Sequence, residues 1–172
     1  NAALKEAHGR GTVEVWNAGL VEAGARVMKD RSAWVERWSE QFSSYYQTVS
    51  GASAAEIRYQ PGVALEGAFT EGDVANAYRH ALRDHRERDL RMGNTLAGPQ
   101  RDDLVLTVPR GETGKDLREY GSGGQRRTAA LALRLVEAAT IREARGQEPI
   151  VLMDDIFAEL DPGRSARVLA LM

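Results

Sequence analysis

Tyr120-Gly-Ser-Gly-Gly-Gln125 opens the stretch of sequence that decides the fold. The run from Arg126 to about Ala144 holds no proline, and its Ala129–Leu133 core is apolar on every side, which predicts a buried helix. Pro149 then starts Ile150-Val-Leu-Met153, a short continuous apolar run of the kind that forms a central parallel strand. Asp154 and Asp155 follow, two carboxylates at the C-terminal end of that strand, where open α/β sheets bind ligands. Ala158-Glu-Leu-Asp161 comes next, and Asp161-Pro162 supplies an N-cap and a first-turn proline for a final helix. Each piece alone has a plain reading: a turn with a cap, a loop start, a helix cap. In this order they describe an anion-binding turn at a helix N-terminus followed by a carboxylate pair suited to Mg²⁺ and an attacking water.

Upstream, Leu104 to Val108 reads as a strand ended by Pro109, and Arg110 to Arg118 as a polar turn. Gly111-Glu-Thr-Gly-Lys115 resembles a phosphate loop only superficially, because the spacing is short and Asp116 stands where a Mg²⁺-binding hydroxyl belongs. Thr70 and Asp73 form a cap signature for a helical stripe of Val74, Tyr78, Ala81, Leu82 and His85 that runs to about Arg91, with Gly93 as its stop. Between Ser50 and Gly72 the glycines and Pro61 punctuate short alternating stretches, Ile57 with Tyr59 and Val63 with Leu65, predicting a β-hairpin or short meander. From Thr12 to about Ser50, Val13, Trp16, Leu20, Val27 and Trp34, then Val35, Trp38, Phe42, Tyr45 and Val49, keep helical spacing. That region is one long amphipathic helix, which would project as an arm, or a helical hairpin.

Lys and Arg number 23 against 25 Asp and Glu, a formal net charge of −2, so any nucleic-acid contact must come from a local patch. Arg79, Arg83 and Arg86 share one face of the predicted helix, although Asp84, Glu87 and Asp89 are interleaved with them. Arg101 is a fourth candidate for a phosphate contact. The absence of cysteine excludes disulfides and thiolate metal sites, and His8, His80 and His85 have no metal-ligand spacing. No apolar run approaches the roughly 20 residues of a membrane helix, so a soluble, cytoplasmic protein without a membrane partner is expected. A chain that opens on Asn1 reads as a fragment.

The ordered motifs resemble the signature, Walker B and D-loop of ABC-type ATPases. Gly98-Pro-Gln-Arg-Asp-Asp103, Tyr120 through Gln125-Arg-Arg-Thr-Ala-Ala-Leu-Ala-Leu133, and Met153-Asp-Asp-Ile-Phe-Ala-Glu-Leu-Asp161 narrow the resemblance to the RecF family of DNA replication and repair proteins. Gln100, where the family usually has His, and Gly121-Ser-Gly-Gly-Gln125, where it usually has Ala-Ser-Gln-Gly-Gln, depart from the pattern. The Walker A loop is absent from these residues. The resemblance implies an α/β fold: a partial ABC-type head, with a P-loop NTPase-like sheet and flanking helices, over 96–172, and a mostly helical inserted lobe with a short β-hairpin over 1–95. It implies Mg²⁺ coordination for Asp154, polarisation of the attacking water for Asp155, and contact of Ser122, Gly123 and Gly124 with the γ-phosphate of ATP held by a second protomer. Gln125 would support that turn and Asp161 would organise the dimer interface. The implied protein is a DNA-repair ATPase that dimerises with ATP on gapped or junction DNA and works with RecR and RecO to load recombinase, this segment alone being inactive. The ATPase subunit of a membrane transporter and a non-catalytic scaffold of the same fold are the alternatives.

Overall fold

The computed structural model describes residues 10–65, 69–109, 114–152 and 160–171, with side chains from residue 15 onward. Asp154, Asp155 and the rest of Met153–Glu159 therefore lie outside the described residues, as does Gly111-Glu-Thr113. The elements are α1 (Arg10–Ser50), β1 (Glu56–Gln60), α2 (Glu71–Asp84), α3 (Arg86–Met92), a 3-10 turn (Pro99–Arg101), β2 (Asp103–Val108), β3 (Lys115–Asp116), α4 (Leu117–Tyr120), α5 (Gly123–Arg145) and α6 (Pro162–Leu169). The strands form one sheet in the order β1-β2-β3, and β2 and β3 are antiparallel with Thr107 opposite Asp116. Among the described residues, packing groups those up to Trp34 with those between Tyr59 and Leu104, and those from Val35 to Arg58 with those after Leu104.

In the first unit, Val21, Ala25 and Met28 of α1 pack with Val63, Val74, Tyr78, Leu82 and Ala97. This reverses the stripe expected from sequence, because Trp16, Leu20 and Val27 are the exposed residues of that stretch. The inward face is chosen by fit: a Cβ on Gly24 would stand 2.5 Å from the Tyr78 ring, so only a small residue lets that ring seat against the helix. Tyr78 is fully buried, its hydroxyl has no hydrogen-bond partner among the described residues, and burial pushes that hydroxyl up to about 12. Gly98, at φ 122°, gives the same hydroxyl room on the other side, since a Cβ there would lie 2.3 Å from it.

A second feature of this unit is the Asp102 carboxylate. One oxygen accepts from Arg31 Nη1 and from the Tyr59 hydroxyl, each at 2.6 Å, and the other accepts from the Gly62 backbone N–H at 2.8 Å. Gly98-Pro-Gln-Arg-Asp-Asp103 thus has a structural duty, fastening α1, β1 and the turn after β1 together. Asp89, also buried, accepts from the Leu96 backbone N–H at 3.0 Å, and desolvation raises its carboxyl above the usual range.

Of the two readings of Thr12–Ser50 the single helix holds, and several other expectations are revised. The Thr12–Ser50 region is one continuous helix. The helix capped by Thr70 ends at Asp84, and a second begins at Arg86 and stops at the left-handed Gly93. Among the described residues no hairpin forms within 50–72: Val63 and Leu65 belong to no strand, and β1 lies beside β2. Residues 150–152 form no strand either, and Ile150 and Leu152 are 93% and 91% exposed. A strand apolar on both faces needs paired edges and cover above and below, and no described residue supplies them. On α5 only one face is buried, Thr128, Ala129, Leu131, Ala132, Val136 and Ala139, while Ala130 is exposed. Alanine is the best helix former and sits equally well on a surface.

In the second unit, Val49, Leu131 and Val168 form a core with Leu135, Leu160 and Leu171 around it. Phe42 and Tyr46 of α1 are buried with ring centroids 6.4 Å apart. Arg167 of α6 donates from Nε to the Val49 carbonyl at 3.1 Å, satisfying a carbonyl that the end of α1 leaves open. No described helix is long and apolar enough to cross a membrane.

Candidate phosphate-binding turn

The signature-like turn lies in the second unit, where Tyr120-Gly-Ser-Gly-Gly-Gln125 is the junction between α4 and α5. Ser122 is the N-cap of α5 and Gln125 its third residue, and they close a reciprocal box. The Gln125 backbone N–H donates to Ser122 Oγ at 3.2 Å, and the Ser122 N–H donates to Gln125 Oε1 at 2.8 Å. Arg126 Nη1 donates to the Gly121 carbonyl at 3.0 Å, tying down the residue before the cap. Ser122 Oγ acts as an acceptor in the box, which leaves its proton for an outside acceptor. The box uses the Gln125 N–H, whereas the Gly123 and Gly124 N–H groups are among those that no helical carbonyl reaches.

The two glycines differ. Among the described residues a Cβ on Gly123 would meet nothing within 4 Å, so none of them closes the approach from that side. A Cβ on Gly124 would stand 2.8 Å from Nη1 of Arg164 in α6. That arginine also pairs through Nε with Asp161 Oδ2 at 3.2 Å. Asp161 is the N-cap of α6, with Pro162 in the first turn, and its Oδ1 accepts from the Arg164 backbone N–H at 2.9 Å. That backbone bond, aided by the charges of Arg164 and Arg167, holds the Asp161 carboxyl below the usual range. Arg164 thus stands between Gly124 and Asp161.

Beside this turn is a cavity of about 360 Å³, lined in part by Lys115, Leu117, Tyr120 and Gln125. Lys115 Nζ sits 5.4 Å from the Tyr120 ring centroid. The four arginines considered for DNA form no comparable cluster. Arg79 donates to Asn76 Oδ1 at 2.7 Å, Arg83 closes α2, Arg86 belongs to α3, and Arg101 lies in the 3-10 turn where its charge reaches Asp89. The shared helical face expected for Arg79, Arg83 and Arg86 is thus interrupted at His85. No group of three or more His, Asp or Glu among the described residues is placed to hold a metal. Sequence reasoning missed Arg164 and Arg167, whose sole signal is that they stand three and six residues after the Asp161 cap.

No protein-family model matches the chain. The DNA replication and repair protein RecF of Anaeromyxobacter sp. (strain Fw109-5) is 37% identical over 155 residues, covering 89% of this chain and 41% of that protein. RecF of Halothermothrix orenii is 36% identical over 163 residues, covering 93% and 42%. Two solved structures of the recombination mediator protein RecF in the RecFOR pathway, RecF-ATP and RecF-ATPrS, superpose with TM-scores of 0.82 and 0.81 at 30% identity, covering 99% of this chain. The chain spans 41–46% of the length of these relatives and structures.

Proposed function

Because the chain belongs to the RecF family over a segment of less than half a RecF protein, we propose that it is part of a DNA-repair ATPase. In this reading two copies clamp together on DNA when ATP is bound, separate after hydrolysis, and help load recombinase at single-strand gaps. The observation that carries the reading is the boxed turn: a serine proton and two glycine N–H groups at the start of α5, with open space over Gly123. Such a site is built for an anion, because unpaired N–H groups and the helix dipole both favour negative charge there.

The turn would meet the γ-phosphate of ATP bound by the opposite protomer. Ser122 donates its hydroxyl proton to a phosphate oxygen, Gly123 and Gly124 present their N–H groups, and Gln125 keeps Ser122 in its rotamer through the box. Asp161, at the start of α6, belongs to the dimer interface. By family resemblance Asp154 would hold Mg²⁺, which neutralises charge on the phosphates, and Asp155 would orient and polarise the attacking water. ATP thereby links two copies by mass action, and its hydrolysis removes the link. Gapped or junction DNA and proteins of the RecR and RecO type are the proposed partners, in the cytoplasm, with Arg79, Arg83, Arg86 and Arg101 as subsidiary candidates for DNA phosphates. The transporter reading is disfavoured because the relatives and structures matched are RecF proteins, and because Asp155-Ile156 stands where a transporter has Glu-Pro. The same matches disfavour a scaffold without nucleotide.

The test is ATP turnover by the full-length protein with and without gapped duplex DNA, alongside Asp155→Asn. DNA-stimulated turnover that the variant loses by about 100-fold or more, the scale of removing a base or water-orienting group, is the expected result. Turnover indifferent to DNA, or undiminished in Asp155→Asn, would contradict the reading.

A further inference from the structure

We infer that Arg164 is a further phosphate-binding residue of the same site, contributing a guanidinium to the terminal phosphate of the nucleoside triphosphate that Ser122, Gly123 and Gly124 are proposed to hold. The inference rests on that reading and adds to it a residue outside the motifs that suggested it.

Three observations converge on Arg164. First, Nη1 lies against Gly124, so close that a Cβ on that glycine would stand 2.8 Å from it. Second, only Nε is engaged by a side chain: it faces Asp161 Oδ2 at 3.2 Å, and among the described residues no acceptor takes the Nη protons. Four N–H donors in a planar fork are thus presented beside the turn, in a geometry that fits two oxygens of a phosphate. Third, the electrostatics are incomplete without an anion. A cation at a helix N-terminus opposes the positive end of the helix dipole, and here the Arg164 charge sits at the start of α5. Asp161 offsets it in part, but that carboxylate is 58% exposed and also serves as the cap of α6, and solvent-exposed pairs of this kind are weak. A phosphate over Gly123 would complete the charge balance.

Arg164 is held where this requires. The Asp161 cap fixes the start of α6, and Arg167 fastens the helix to the Val49 carbonyl. Val168 of the same helix is buried in the core with Val49 and Leu131. The guanidinium therefore sits on an anchored helix and loses little freedom on binding a ligand.

The experiment compares full-length protein carrying Arg164→Ala, Arg164→Lys or Ser122→Ala with wild type. It measures the ATP concentration for half-maximal dimerisation by light scattering, and the thermal midpoint without nucleotide. Arg164→Ala is expected to raise that concentration by about tenfold or more, the scale of a lost charge-assisted hydrogen bond. Its midpoint without nucleotide should stay near wild type, because Asp161 keeps its backbone cap. Arg164→Lys should recover part of the loss, since it keeps the charge without the fork. Wild-type dimerisation in Arg164→Ala while Ser122→Ala is impaired would overturn the role of Arg164 and leave the trans-nucleotide reading standing. Wild-type behaviour in Ser122→Ala as well would remove that reading itself. A defect in Arg164→Ala that follows a lowered thermal midpoint, with no recovery in Arg164→Lys, would reduce Arg164 to a structural residue.

Discussion

Asp102→Ala is expected to lower folding stability by about 3 kcal/mol, because two partly buried donors lose their acceptor at once and each orphaned group costs about 1–3 kcal/mol. The donors are the Tyr59 hydroxyl and the Gly62 N–H. Arg31, the third partner, has a side chain 48% exposed, so its guanidinium rehydrates and adds little. The Asp102 side chain itself is 4% exposed, which leaves little room for water to replace the lost carboxylate. Asp102→Asn should fall between: one amide oxygen still accepts, but an NH₂ then faces a donor. Urea unfolding of wild type and both variants, monitored in the first unit by Tyr59 and Trp16 emission, checks the order wild type, Asn, Ala.

Gly123→Ala is expected to separate stability from function. A methyl group there meets no atom within 4 Å, and alanine in the first turn of a helix restricts the unfolded chain, so the variant should gain about 0.5–1 kcal/mol. The same methyl group would occupy the open approach through which a phosphate oxygen reaches the Gly123 N–H. Displacing a bound phosphate by about 1 Å is enough to lose on the order of 100-fold in a positioned reaction. The full-length variant should therefore be at least as stable as wild type, while its DNA-stimulated ATP turnover falls by about that factor. Circular dichroism melting and a turnover assay on one preparation measure both. A variant that keeps wild-type turnover would mean that nothing binds over Gly123.

The sequence made the caps legible. Thr70, Ser122 with Gln125, and Asp161 with Pro162 all stand where their side-chain chemistry places them, because a cap is decided within four residues. The face of α1 was not legible over its first half. Trp16, Leu20 and Val27 carry more apolar area than Val21, Gly24 and Ala25, yet the smaller set is inside, since the partner is the Tyr78 ring and a helix carrying small residues approaches it closely. Asp102 was legible as part of a family-like segment, but its partners, Arg31 and Tyr59, lie 71 and 43 residues away and no local signal connects them. Arg164 escaped for the same reason: its approach to Gly124 exists only once α6 packs beside α5. The apolar run at Ile150–Leu152 carries a strand pattern, and a strand also requires neighbours, which the described residues do not provide.

The central claim is that this segment supplies its signature turn to ATP bound by the other copy, and a mixed-dimer assay tests it most directly. Full-length protein carrying Ser122→Ala, impaired in the donated turn, is mixed with protein carrying Asp155→Asn, impaired in hydrolysis of its own ATP, and turnover is measured on gapped DNA. In a mixed dimer one of the two sites then combines an intact Asp155 with an intact Ser122 from the other copy. The account expects the mixture to turn over ATP well above either variant alone. A mixture no more active than the average of the two would contradict it.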